Sequence, residues 1–146
     1  KVRMDQQQKN AVEVARALES HGAVERVIYL GRIKEGSREA RIMSKQCEGT
    51  GAMVSFYVRG GEAGAFAFLN HLKLVKLAVS LGSTESLAQH PHTMTHAGVD
   101  PVVRQKLGIT PSLVRLSVGV EHPEDLIADL YAALDYISAT VAASGS

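Results

Sequence analysis

Apolar and polar positions along Leu113–Gly119 predict a short strand rich in β-branched and other apolar residues. Side chains on a strand point to alternate faces. Val114, Leu116 and Val118 therefore share one face, and Leu113, Arg115 and Ser117 the other. The first face reads as core. The second carries a single arginine. Upstream, Met4, Ala11, Val12, Ala15 and Leu18 recur at helical spacing and predict an amphipathic helix over Val2–Glu19, with Gly22 as its cap. Val24–Leu30 reads as a strand, Gly31–Ser37 as a loop and Arg38–Cys47 as a short polar helix.

A second strand is predicted over Ala52–Val58, with Ala52, Val54, Phe56 and Val58 on one face. Gly60–Gly61 ends it. Glu62–Leu72 reads as a compact apolar helix burying Phe66, Leu69 and Leu72. Lys76–Ser80 reads as a third strand, broken by Gly82. Ser86–His96 contains Pro91 and has no clean period, so an irregular loop is expected there, followed by a short helix over Pro101–Leu107. Pro123 suits a first helical position, and Glu124 and Asp125 suit the helix N-terminus. Leu126, Leu130, Leu134, Ile137 and Val141 form the stripe of a long final helix, and the small, polar tail Ala142–Ser146 is expected to fray. The order predicts an α/β chain: an open sheet covered by helices on one side.

Composition narrows the function. The chain has 146 residues, 45% hydrophobic and 21% charged, which fits one domain with a real core. A net charge of +1 leaves no electrostatic footprint for nucleic acid or an anionic membrane. Aromatics are sparse and there is no Trp, which argues against a base-stacking surface. No apolar run approaches membrane-span length. One cysteine, Cys47, allows no internal disulfide and suits a reducing, cytoplasmic setting. Lys1–Met4 lacks the apolar stretch of a signal peptide, and a chain starting without methionine inside a helical pattern is expected to be part of a longer polypeptide.

Candidate chemistry is thin on residue patterns alone. His90, His92 and His96 have a spacing that can resemble a metal site. No acidic or cysteine ligand lies close by in sequence, so loop histidines bonded to backbone or water are expected instead. Nothing in the sequence activates Cys47. Ser80, before Leu81–Gly82, reads either as a turn serine or as a hydroxyl left at a sheet edge where ligands bind. Arg115 reads either as part of a half-exposed sheet face, in water or in a structural ion pair, or as a carboxylate receptor, because a buried guanidinium needs a partner and its planar fork matches a carboxylate.

The words Ala78-Val79-Ser80-Leu81-Gly82-Ser83-Thr84-Glu85-Ser86-Leu87, then Gln89-His90-Pro91, Met94-Thr95-His96-Ala97, Leu107-Gly108-Ile109, Leu113–Glu121 and Glu124–Ile127 appear in that order. In order and spacing they resemble the C-terminal domain of the pyridoxal-phosphate (PLP) enzymes of cysteine and methionine metabolism, the group of methionine γ-lyase, cystathionine γ-lyase and cystathionine γ-synthase. The likeness departs between Gly31 and Ser44, where the family often has a proline- and histidine-containing loop and this chain has Arg32-Ile33-Lys34-Glu35-Gly36. That loop is not part of the family's active site.

The resemblance implies a fold-type I C-terminal domain over 1–146, with an open, mixed, largely antiparallel sheet and helices on one face. It implies PLP as cofactor, bound mainly by a large upstream domain that carries the Schiff-base lysine, so that this chain alone is expected to be inactive. It implies a full-length homotetramer acting on a small amino-acid substrate, without nucleic acid, membrane or metal. By position, Arg115 matches the arginine that binds the substrate carboxylate. Ser80 matches the serine near the cofactor-bearing lysine, and Thr95 a threonine supporting that constellation. Val79 stands where cystathionine-processing members often have glutamate. It is similar to many methionine γ-lyases, which release methanethiol, ammonia and 2-oxobutyrate, although some bacterial cystathionine-processing members also have valine there. Cystathionine γ-lyase or γ-synthase is the alternative within the family. A non-catalytic carboxylate-binding or assembly domain is the alternative outside it.

Overall fold

Val54, Phe56 and Val58 are fully buried on one face of a strand, and Val114, Leu116 and Val118 are buried opposite them. This pair of strands is the centre of the molecule. The structure is a computed structural model that describes residues 1–144, with side chains through residue 140. The elements are α1 (Val2–Ser20), β1 (Val24–Ile28), α2 (Arg38–Gln46), β2 (Met53–Val58), α3 (Gly61–His71), β3 (Lys76–Leu77), β4 (Leu87–Gln89), α4 (Pro101–Lys106), β5 (Leu113–Ser117) and α5 (Pro123–Ser144). A 3-10 turn at Leu30–Arg32 follows β1.

The strands form one sheet in the order β1-β2-β5-β4-β3. All neighbours are antiparallel except β3 and β4, which run parallel. The three long helices, α1, α3 and α5, cover one face. Val14 and Leu18 of α1, Ala65 and Phe68 of α3, and Leu126, Leu130, Leu134 and Ile137 of α5 join Val54, Phe56 and Val114 in one buried cluster. Phe56 and Phe68 meet edge to face at 5.5 Å, a favoured arrangement for aromatic rings. The open, mixed, largely antiparallel sheet is thus the expected one. No helix among the described residues is long and apolar enough to cross a membrane.

Several local expectations are corrected. The buried face of α1 is Gln7, Asn10, Ala11, Val14, Ala15 and Leu18, while Met4 and Val12 are exposed. Two amides displace two hydrophobes because the face beneath the first turns of α1 is made of backbone carbonyls. Gln7 donates to the carbonyls of Ser83 and Val118, and Asn10 to those of Gly119 and Glu121. α1 ends at His21–Gly22 as expected, with an extended His21 as the C-cap and Gly22 next without a left-handed φ. On α3 the buried stripe is Gly64, Ala65, Phe68 and Leu69. Phe66 lies off it, 40% exposed, with its ring edge-on to His90 at 5.0 Å. The third strand keeps only two residues, and Ser80 lies beyond its end. The loop expected over Ser86–His96 contains strand β4, whose three residues are all buried. The last strand stops at Ser117, and both its faces are largely buried. The expectations for Val141 and for the tail Ala142–Ser146 lie outside the described residues and side chains.

Candidate active site

The sheet face opposite the long helices carries the polar residues. Register sets them in rows, because directly paired residues in an antiparallel ladder project to the same side. Arg115 sits in the middle of β5, with Ser55 of β2 on one flank and Gln89 of β4 on the other. One step along, Ser117 lies between Met53 and Leu87. Arg115 is half-buried, and burial presses its guanidinium pKa below the usual arginine range. Among the described residues no carboxylate pairs with it and no side-chain hydrogen bond ends on it. The structural ion pair considered for Arg115 is therefore not formed here. A partly desolvated guanidinium is stabilised by an anionic partner.

Gln89 is buried beside it. Its Nε2 donates to Thr95 Oγ1 at 3.3 Å, and its Oε1 has no hydrogen-bond partner among the described residues. Thr95 Oγ1 also meets His96 Nδ1 at 2.8 Å. The structure thus links Thr95 to the Arg115 row through Gln89. Residue patterns gave Gln89 no role. The missing signal is strand register, which a three-residue strand next to a proline does not advertise.

Ser80 and Val79 are exposed on the segment leaving β3. That segment turns at Gly82, whose φ of +75° favours glycine. The Gly82 N–H donates to Ser117 Oγ at 2.9 Å. The stretch carrying Ser80 is thereby tied to β5 two residues beyond Arg115. Lys76, at the edge of the sheet, turns its ammonium onto the Lys73 carbonyl at 3.2 Å.

His90 and His92 have partners away from this row. His90 is fully buried, with Nδ1 on Thr93 Oγ1 at 2.8 Å and Nε2 on the Pro111 carbonyl at 2.7 Å. His92 stands 3.7 Å from Glu62. Desolvation first, then Arg104 and His90, hold its pKa below the ordinary histidine value against the pull of Glu62. Cys47 is exposed at the end of α2.

The face carries the half-buried Arg115 and the buried Gln89, and the segment tied to Ser117 carries the exposed Ser80. Comparison with known proteins gives this arrangement its context. Residues 1–135 match the family described as Cys/Met metabolism PLP-dependent enzyme. Cystathionine gamma-lyase of Dictyostelium discoideum is 48% identical over 134 residues, covering 92% of this chain and 34% of that protein. L-methionine gamma-lyase of Fusobacterium nucleatum subsp. polymorphum is 47% identical over 136 residues, covering 93% of this chain and 34% of that protein. The crystal structure of cystathionine gamma-lyase from Lactobacillus plantarum complexed with L-serine superposes with a TM-score of 0.83 at 37% identity, over 94% of this chain and 35% of that one. The chain spans about a third of the length of the curated relatives it matches. With sequence, fold and structural likeness in agreement, the chain belongs to the Cys/Met metabolism PLP-dependent enzyme family.

Proposed function

We propose that this chain is the substrate-carboxylate-binding part of a PLP-dependent lyase acting at Cγ of a sulfur amino acid. The half-buried guanidinium of Arg115, without an ion-pair partner among the described residues, carries this reading. A two-point clamp on the α-carboxylate fixes the orientation of the Cα–H bond, and orientation of this kind is a large part of catalysis. PLP, when bound, supplies the electron sink for chemistry at Cα. The chain's own residues bind and orient. Arg115 holds the carboxylate, Ser80 presents a hydroxyl beside the reacting centre, and Thr95 with Gln89 braces the row.

Methionine is the first substrate proposed. Val79 presents a 57% exposed apolar side chain immediately before Ser80, and valine makes no charged contact with a distal ammonium. An uncharged thioether suits it better than the second amino-acid head group of cystathionine. Cystathionine is the second reading, supported by the similar identity to a protein of that specificity. The complete enzyme assayed on both substrates should show the higher kcat/KM on methionine. A strong preference for cystathionine would reverse the order.

Neither Lys73 nor Lys76 matches the family's cofactor-bearing lysine. Incubation of the chain with PLP, borohydride reduction and mass mapping should give scattered, substoichiometric lysine labelling. Stoichiometric labelling of one lysine would sink the assignment of the attachment site to the upstream part.

A further inference from the structure

We propose that Glu121 is a positioning residue of the carboxylate site, clasping Ser86 so that the Ser80 segment is held in register with Arg115. The proposal rests on the roles proposed for Arg115 and Ser80. The Ser80 segment is not secured by the sheet. β3 has two residues, and Ser80 lies past its end. The chain beyond Ser80 is held by side chains together with two backbone bonds, from the Val120 N–H to the Thr84 carbonyl and from the Lys76 N–H to the Ser86 carbonyl. The Glu121 carboxylate accepts from the Ser86 N–H at 2.6 Å and from the Ser86 hydroxyl at 2.8 Å. The same hydroxyl accepts from the Gly119 N–H at 2.8 Å. Ser86 is only 1% exposed, so these groups have little water to fall back on.

The clasp is part of a longer seam between residues 82–86 and 117–121. Ser117 Oγ accepts from the Gly82 N–H, and the Thr84 carbonyl accepts from the Val120 N–H at 2.8 Å. Gln7, fully buried, donates across the seam to Ser83 and Val118. Gly119 leaves no room for a side chain. A Cβ there would collide with the Glu121 carboxylate and the Thr84 carbonyl. Arg115 enters the seam two residues before Ser117, and Ser80 two residues before Gly82. The two groups proposed to meet the substrate therefore each lie two residues from one hydrogen bond of this junction, that of the Gly82 N–H to Ser117 Oγ. A two-point carboxylate contact fixes both translation and rotation of Ser86, which a single backbone bond would not.

The test uses the complete PLP-bound enzyme, with norleucine and its decarboxylated counterpart pentylamine as inhibitors. Glu121→Ala should weaken norleucine inhibition about tenfold, as expected for a misplaced receptor, and leave pentylamine unchanged. Glu121→Gln, which keeps one acceptor oxygen and loses the two-point contact, should recover only part of the loss. In an Arg115→Ala background Glu121→Ala should add nothing further, since groups that act through one another are not additive. Should Glu121→Ala not fold, Ser86→Ala carries the same selective prediction. Equal weakening of both inhibitors, a lowered Tm with an unchanged inhibitor ratio, or full additivity with Arg115→Ala would overturn the clasp. Norleucine affinity unaffected by Arg115→Ala would overturn the underlying reading and the clasp with it. Selective loss in Arg115→Ala but not in Glu121→Ala would overturn the clasp alone.

Discussion

Arg115→Ala in the complete enzyme should lower kcat/KM by roughly thirty-fold to several-thousand-fold while leaving Tm unchanged or slightly higher. The kinetic loss corresponds to about 2–5 kcal/mol for removing one partner of a desolvated, hydrogen-bonded charge pair. The expected Tm reflects what Arg115 touches. It holds no ion pair or side-chain hydrogen bond among the described residues, and burial already disfavours its charge. Truncation therefore breaks no internal bond and relieves a desolvation penalty. The core face of the same strand belongs to Val114, Leu116 and Val118 and is untouched. Arg115→Lys should recover only part of the rate, because an ammonium keeps the charge and loses the planar fork. A normal kcat/KM with a large fall in Tm would show Arg115 to be structural.

This strand was legible because its pattern is local. Alternation over five residues assigns Val114, Leu116 and Val118 to the core without knowledge of the rest of the chain. The same holds for Val54, Phe56 and Val58, and for the α5 stripe from Leu126 to Ile137. Illegible parts depend on what lies across the fold. Met4 and Val12 fit a helical period as well as Gln7 and Asn10 do. Only the carbonyls of Ser83, Val118, Gly119 and Glu121 beneath the helix make amides the better residues there. Phe66 looks like core by size, but each helical residue turns the chain by about 100° and carries it off the stripe of Ala65, Phe68 and Leu69. β4 is invisible because Pro91 and three histidines crowd its end, while its pairing with β5 is long-range. At the site, the arginine's isolation on a strand was readable. That it has no acidic partner among the described residues, and that Gln89 stands beside it, needed the fold and its register.

Asp129→Ala should lower the Tm of the chain by roughly 4–12 °C, from a loss of about 2–3 kcal/mol. One carboxylate on α5 accepts three successive backbone N–H groups, from Lys73 at 2.9 Å and from Leu74 and Val75 at 3.0 Å each. Hydrogen bonds to a charged acceptor are the stronger kind. Lys73 and Leu74 are exposed, so water replaces much of what their N–H groups lose. Val75 is 2% exposed, and its N–H has no such substitute. The turn so held delivers β3, whose ladder is short. The Lys76 N–H reaches the Ser86 carbonyl and the Ala78 N–H the Ala88 carbonyl, both at 3.0 Å. Loosening the turn should therefore raise amide hydrogen exchange at Lys76 and Ala78, while the β2–β5 pairs stay protected. Asp129→Asn keeps one acceptor oxygen without the charge and should fall between wild type and alanine. An unchanged Tm together with unchanged exchange at Lys76 and Ala78 would mean that α5 does not hold the edge from which the Ser80 segment departs.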